Sequence, residues 1–512
     1  MKVMLITALF VLLTVIALPS LNVSSTSATR ICAIVLASTS VLSYHGCSSI
    51  GLESGISLYG GLMQATPTSY GIDLLLGIIG AMAIIPWAPL SAMRNLHLTS
   101  GSVFTMLPTN TYYALLVLFS VSGSSFLVSS ASLMSVYLSL EMQSFAVYVL
   151  AALYRDSETA TNAGLTYFLL GGLSSAFILL GSAQLYASLG VISLEEIYVL
   201  LSVGNSTVTV MVAFSLTVLA SGLYFKLAAA PFHQWAPDVY DRVPTIVTAW
   251  LQTMPKLAVL GLLLELTGGI SPVVQGSSEA WSSSLMLVAM LSLIIGSVIG
   301  LAQVRIKKLL TYSTISHVGF MLLALGAYSI DAVTSFCFYL AQYSITSLAS
   351  LMILLAFGYV LRTHSSSSLI SRAHTTDLEL LSELAGQVTR QPMLCLGMAA
   401  LLFSMAGVPP FVGFFAKQGV LEASITAEYT GLAFLAILAS VVSASYYLKV
   451  VRLMYFNTNT TTQSSTTITA QPLTSMHTFM MSIMVLVVSL YVLLPSSFLD
   501  STRSLALSVY QL

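Results

Sequence analysis

The chain has 512 residues, of which 57% are hydrophobic and 7% charged, with a net charge of -1. Together with a mean hydropathy of +0.93, this lies far outside the range of water-soluble domains, so the solvent is lipid. The near-neutral balance gives no electrostatic reason to expect nucleic acid or an acidic macromolecular substrate.

Apolar runs and their polar breaks predict spans at 3–23, 30–50, 70–93, 111–129, 131–154, 163–189, 207–232, 244–268, 282–302, 307–328, 333–361, 392–426, 430–455 and 475–498. The expected fold is therefore all-α, a polytopic membrane protein of about fourteen transmembrane helices. Lys2 ahead of the first apolar run would also suit a secretory signal; the membrane-embedded remainder favours a first span. There is no Arg-rich, Ser-rich transit segment, which fits synthesis inside an organelle if the protein sits in one. The second span is the most interrupted, by Ser38, Thr39, Ser40, Ser43, His45, Ser48 and Ser49. Four segments are expected: 1–100 with three helices, 101–270 and 280–456 as two larger halves, and 457–512 with a polar loop and a last helix.

The basic residues Arg30, Arg94, Arg155, Arg242, Arg305, Lys307, Lys308, Arg362, Arg372, Arg390, Lys449 and Arg452 fall in the odd-numbered loops or at the span ends beside them. Glu53, Glu195, Glu196, Glu279, Asp331, Glu428 and Asp500 collect in the others. By the positive-inside rule the odd loops face the cytoplasm or matrix and both termini face outward. The longest inner loop is 362–391, and 457–471 reads as a solvated Ser/Thr run. Sequons begin at Asn22, Asn205 and Asn459, a pattern common by chance.

Cys32, Cys47, Cys337 and Cys395 are scattered, with neither a CxxC nor a Cys/His cluster at metal-ligand spacing. The sequence also lacks a Gly-rich nucleotide loop, so no cofactor and no metal site are expected, and redox chemistry would belong to a partner.

Setting aside loops and span ends, where Asp73, Glu265 and Glu422 are placed, leaves Glu141, Lys226, Lys256 and Lys417 inside apolar stretches. One such charge at mid-bilayer costs roughly 2.5 to 3.5 kcal/mol on insertion scales, so four need a reason to persist. Static ion pairs or snorkelling are the alternatives to a proton path, and snorkelling suits the short Glu141 least. Lys226 precedes Pro231, Lys256 follows Pro255, and Lys417 follows Pro409 and Pro410. These four prolines are read as helix breaks that free carbonyls, and broken membrane helices are tolerated where protein or a water-filled cavity satisfies them. Pro231-Phe232 and Pro410-Phe411 in corresponding halves suggest an inverted repeat. Burial favours the neutral form of either residue type and a nearby opposite charge restores the charged form, so a changing Glu141–Lys226 separation would load or release a proton towards Lys256. His317, with Ser313 one turn before it and Gln342 and Tyr343 in the next span, suits either a relay or a packed core; His233 is a further possible relay. The methionines and aromatics read as lipid-facing and packing surface.

The blocks SLEMQSFAVYVLAALYRDSE, LYFKLAAAPFHQWAPDVYDRVPTIVTAWLQTMPKLA, KKLLTYSTISHVGFML and FSMAGVPPFVGFFAKQGVL resemble the antiporter-like membrane subunits of respiratory complex I, NADH:ubiquinone oxidoreductase, in order and spacing over nearly the whole chain. The resemblance implies inverted repeats with two broken helices, and a proton relay of Glu141, Lys226, Lys256, His317 and Lys417. It implies the branch of subunit 2, because the subunit 4 sibling usually has glutamate where Lys417 stands and the subunit 5 sibling carries a long lateral helix. Bacterial and plant relatives usually show a lysine where this chain has Thr166, and the wording around it looks more like a fungal mitochondrial version. A location in the mitochondrial inner membrane follows, with both termini on the intermembrane-space side. The implied partners are other membrane-arm subunits, including antiporter-like subunit 4 and small membrane subunits, with phospholipids such as cardiolipin. FMN, iron–sulfur clusters and ubiquinone would be held by other subunits. A subunit of a cation/proton antiporter is the alternative function.

Overall fold

The computed structural model describes residues 1–18, 25–47, 55–85, 112–154, 157–203, 206–271, 277–362, 377–457, 475–493 and 495–510. Asn22, Asn205, Asn459, Arg94, Arg155, Arg372, residues 363–376 of the loop 362–391 and residues 458–471 of the loop 457–471 lie outside the described residues.

In chain order the described helices are α1 (Lys2–Ala17), α2 (Ser25–Cys47), α3 (Pro67–Ile84), α4 (Tyr112–Val128), α5 (Leu133–Ala152), α6 (Glu158–Leu189), α7 (Leu194–Val203), α8 (Ser206–Leu227), α9 (Trp235–Arg242), α10 (Thr245–Ile270), α11 (Ser277–Leu301), α12 (Ile306–Ala327), α13 (Ile330–Arg362), α14 (Pro392–Ala406), α15 (Val412–Thr426), α16 (Thr430–Phe456), α17 (Ser475–Leu490) and α18 (Pro495–Tyr510). Eleven helices among the described residues are long and apolar enough to cross a membrane, and α1, α4 and α14 are shorter apolar helices. Every predicted span overlaps a helix. The strands β1 (Ile56–Leu58) and β2 (Met63–Ala65) pair antiparallel, Ile56 against Ala65, and are the only paired strands among the described residues.

Local chemistry sets several ends. Thr66 and Ser69 form a reciprocal capping box at α3, with Pro67 at the first helical position where its missing N–H costs nothing; Ser132 and Ser135 do the same for α5. The position of each helix in the bundle then follows from which faces are covered. Nearly every residue of α10, α12 and α13 is buried, so these form the centre. By contrast α6 exposes Leu165, Leu169 and Leu173, and α16 exposes Phe434 and Val441, the pattern of helices whose outer face meets lipid. Thr166 lies on that exposed face of α6 and turns its hydroxyl back to the Ala163 carbonyl.

Four differences from the sequence reading have physical causes. The span at 207–232 continues beyond its break into α9, a short helix carrying Asp238, Asp241 and Arg242 that hydropathy alone assigns to a loop. The helices α7 and α18 were not expected, since α7 is short and Asp500 and Arg503 make α18 read as a polar tail. The expectation of a helix break at Pro255 is corrected: α10 runs unbroken through it. Proline there removes the bond to the Leu251 carbonyl, and the Tyr240 hydroxyl donates to that oxygen instead, at 3.4 Å. Asp73, placed by the sequence near a span end, is buried inside α3.

At one end of the bundle, three ion pairs gather α9, the start of α12 and the segment after residue 377. Arg305 pairs with Asp241 at 2.6 Å, Lys307 with Asp377 at 2.6 Å and Lys308 with Asp238 at 2.8 Å. Arg305, Lys307 and Lys308, basic residues singled out by their partition along the chain, thus meet aspartates at this one end.

Candidate functional site

Two helices are interrupted in mid-course, and each interruption is built around a lysine. The first lies between α8 and α9, at residues 228–234, and includes Pro231; the second lies between α14 and α15, at residues 407–411, and includes Pro409 and Pro410. Each break contains a cis X–Pro peptide, Ala230–Pro231 and Pro409–Pro410. Backbone groups freed by a break must find partners, because no water-rich solvent surrounds them. Ser292 of α11 accepts from the Ala230 N–H at 2.9 Å, Ser404 accepts from the Gly413 N–H at 3.2 Å, and the Trp235 indole donates to the Phe225 carbonyl at 3.0 Å.

Lys226 occupies the last turn of α8, and Lys417 reaches across the second break to donate to the Ala406 carbonyl, the last residue of α14, at 3.0 Å. Both lysines are thus associated with a half-helix C-terminus, where the helix dipole favours positive charge, but only Lys417 Nζ meets a terminal carbonyl, since Lys226 Nζ has no hydrogen-bond partner. Gly407 makes the second arrangement possible: its φ of +87° ends α14, and a Cβ there would lie 3.0 Å from Lys417 Cδ. Gly407→Ala is expected to cost about 1 kcal/mol or more through backbone strain and to push Lys417 off Ala406. A lower melting temperature would register this; an unchanged one would contradict it.

Glu141, on α5, has its Oε1 buried without a hydrogen-bond partner, and so has Lys226 Nζ. The two are electrostatic neighbours and form no ion pair. Lys226 Nζ lies 6.0 Å from the ring centroid of Tyr148, two turns along α5 on the face of Glu141. From Tyr148 a file of aromatic rings leads inward. Tyr148 meets Tyr167 edge-on at 4.7 Å, Tyr167 stacks on Trp235 at 4.7 Å, and Trp235 meets Tyr240 at 5.7 Å. The ring of Tyr240 in turn lies 5.6 Å from Lys256 Nζ. Lys226 and Lys256 are thus joined by ring contacts.

Beyond Lys256 the lining turns to hydroxyls. Lys256, 1% exposed, donates to Thr314 Oγ1 at 3.1 Å, and Thr314 stands one turn before His317 on α12. His317 Nδ1 is 2.6 Å from the Tyr339 hydroxyl of α13 and Nε2 is 3.3 Å from the Tyr447 hydroxyl of α16. Both ring nitrogens are therefore in hydrogen-bond contact with tyrosines, which suits a group that takes a proton on one side and gives it on the other. Tyr339 stacks on Phe320 at 5.9 Å, and Phe320 lies 5.4 Å beneath Lys417 Nζ. A cavity of about 500 Å³, lined by Gly407, Phe414, Lys417, Gln418, Glu422 and Ser440 among others, adjoins Lys417 on its far side.

The structure brings Lys226, Lys256, His317 and Lys417 into one file, linked by contacts except between Thr314 and His317, which are neighbours one turn apart on α12, with Glu141 beside its first member. His233, in the first break, is buried with Nδ1 unbonded, and its ring lies 6.3 Å from Tyr312; it stands beside the file. Sequence reading missed the connecting groups, Tyr148, Tyr167, Trp235, Tyr240, Thr314, Tyr339 and Tyr447, because aromatics in lipid-soluble helices look like packing surface. The spacing of Thr314 to His317, one helical turn, was the legible hint.

Membrane helices broken in mid-span, with half-helix ends meeting buried ionisable side chains, define the class of transport proteins that carry ions through the bilayer. A family model described as NADH:quinone oxidoreductase/Mrp antiporter matches residues 130–443, and the chain belongs to that family. It is 46% identical over 447 residues to NADH-ubiquinone oxidoreductase chain 2 of Rhizopus oryzae, covering 86% of this chain and 83% of that one. Identity to NADH-quinone oxidoreductase subunit N of Acidithiobacillus ferrooxidans is 41% over 347 residues, 67% of each chain. Among solved structures, a chain of respiratory complex I from Thermus thermophilus superposes with a TM-score of 0.74 at 25% identity, over 98% of both chains. A chain of the Mrp complex from Dietzia shares the fold, with a TM-score of 0.78 at 17% identity over 99% of this chain and 97% of that one.

Proposed function

We propose that this chain is a proton-translocating membrane-arm core subunit of a respiratory NADH:ubiquinone oxidoreductase, driven by NADH oxidation and quinone reduction in other subunits. The observation that carries the mechanism is the file of side-chain contacts from Lys226 to Lys417 across a bundle of this family. Glu141 sets the charge state of Lys226, Lys256 receives the proton, His317 relays it between Tyr447 and Tyr339, and Lys417 is the terminal or exchange site. Buried Glu141 Oε1 and Lys226 Nζ without hydrogen bonds suit a pair that changes protonation during turnover, since a closed ion pair would hold both charges fixed. The aromatic stretch between Lys226 and Lys256 carries protons through tyrosine hydroxyls and water entering among them.

In this reading 101–270 and 280–456 are inverted halves, each with one broken helix. The protein resides in the mitochondrial inner membrane, with the ion-pair end at α9 and α12 facing the matrix and both termini the intermembrane space. Its neighbours are antiporter-like subunit 4, small membrane subunits and phospholipids such as cardiolipin. FMN, the iron–sulfur clusters and the ubiquinone site belong to the partners.

Affinity purification of the tagged chain from its membrane tests this. Flavin, iron–sulfur clusters and NADH:quinone reductase activity are expected to co-purify, and proteoliposomes of the assembly should acidify on NADH addition. Cation-driven proton exchange without flavin or NADH dependence would instead identify an antiporter subunit. Lys256→Ala in the assembly should lower protons moved per NADH by on the order of tenfold; an unchanged ratio would leave the relay without its middle member.

A further inference from the structure

Two carboxylates inside the helix bundle, the buried Asp73 and the half-buried Glu265, belong neither to the relay nor to the ion pairs. Asp73 of α3 is 1% exposed, and its Oδ1 has no hydrogen-bond partner. Glu265 lies five residues before the end of α10, where its Oε1 accepts from Thr68 Oγ1 at 3.2 Å and Thr66 Oγ1 at 3.4 Å. The helices are pressed together here: a Cβ on Gly261, one turn before Glu265, would lie 2.7 Å from Cδ1 of Ile72, the neighbour of Asp73. Ser125 of α4, also 1% exposed, faces Asp73 and likewise has an Oγ without a partner.

The surroundings supply few donors for these oxygens. Thr66 and Thr68 lie 2.7 Å apart and share their hydrogens between each other and Glu265. On the α1 side stand Lys2 and the Met1 amino group, within electrostatic reach and outside ion-pair contact. Behind Glu265 lie Tyr198 of α7 and Tyr328, whose hydroxyl donates to the Gly268 carbonyl at 3.4 Å. The flank from α18 is apolar, with Leu505 against Gly71 and Val509 against Gly268. A carboxylate as buried as Asp73 and without a contact cation is favoured in the neutral form, which can donate to the Ser125 hydroxyl as well as accept from it.

We propose that Asp73 and Glu265, with Ser125, form a second proton-holding site, spatially separate from the Lys226–Lys417 file. Hydronium entering from the α1 and α3 end transfers one proton to a carboxylate oxygen, leaving water and a neutral carboxyl; release reverses the step. The site thereby stations a releasable proton at the end of the bundle opposite the α9–α12 ion pairs. Its place in pumping rests on the function proposed above, whereas proton binding itself does not.

Infrared difference spectra of the purified assembly between low and high pH test it. Wild type should show a protonated-carboxyl C=O band that is lost in Asp73→Asn or Glu265→Gln. In Ser125→Ala, which keeps both carboxyls, the band should shift in frequency and titration midpoint. Lys226→Ala should keep the band while losing proton translocation, which separates this site from the relay. Assembled Asp73→Asn and Glu265→Gln complexes with the wild-type band would overturn the proposal. Should those two fail to assemble, a Ser125→Ala spectrum identical to wild type overturns it.

Discussion

Replacing Lys226 by alanine in the assembled complex is expected to lower NADH-driven proton translocation by roughly ten- to a hundredfold, the scale on which a positioned proton-transfer group contributes. The side chain lies in the last turn of a half helix, near Glu141 and Tyr148, and its loss removes the first member of the proposed relay. The informative companion is Lys226→Arg. Arginine keeps the positive charge and cannot be deprotonated in a protein, so it satisfies a static electrostatic role and fails a proton-carrying one. We expect Arg to translocate as poorly as Ala, with both variants assembled. Wild-type translocation per NADH in the Arg variant would leave Lys226 as a fixed charge. Glu141→Gln, which removes the charge beside Lys226 and preserves shape, should show an intermediate loss.

The second large effect concerns stability. Asp377→Ala is expected to destabilise the folded chain by about 3–5 kcal/mol, the cost of stranding one partner of a buried ion pair. Asp377 Oδ2 accepts from Lys307 Nζ at 2.6 Å and from the Thr245 N–H at 2.7 Å, at the start of α10. Lys307 also donates to the Val243 carbonyl at 2.9 Å, so the pair ties three separate stretches of chain together. Without the carboxylate, Lys307 is left buried with one neutral acceptor and the first turn of α10 loses its N-terminal partner. Reduced assembly and a lowered melting temperature in detergent should follow, with a smaller loss for Asp377→Asn, which keeps an acceptor. Arg305→Ala should also destabilise, because Asp241 is buried and its other carboxylate oxygen already lacks a partner; the solvent-facing guanidinium itself loses little. Equal melting temperatures for Asp377→Ala and wild type would show that the clasp contributes nothing.

Much of the site was legible in the residues because lipid makes charge conspicuous. A lysine inside VAFSLTVLASGLYFKLAAAPF or a glutamate inside LMSVYLSLEMQSFAVYVL stands against a background that excludes it, so Lys226 and Glu141 declare themselves. The prolines beside them were equally plain, although only those at 231, 409 and 410 mark breaks. Pro255 sits inside a continuous helix because Tyr240 supplies a donor for the Leu251 carbonyl. Asp73 and Glu265 were passed over for the opposite reason. They do lie near helix ends, where charge is ordinary, and only the packing of neighbouring helices decides that Asp73 is buried and Glu265 half-buried.

By itself the sequence determined the solvent, the helical periodicity, the positions of the spans and the identity of the ionisable groups within them. Each of these depends on local composition, which a single chain segment carries whole. The tertiary structure decided what lies between those groups: that Lys226 reaches Lys256 through Tyr148, Tyr167, Trp235 and Tyr240, and that His317 is held by hydroxyls from two different helices. It also decided that Lys417 rests on the last carbonyl of α14. The reason is that a proton path is a set of contacts between helices distant in sequence, and side chains that form it are chemically indistinguishable from packing until their neighbours are known.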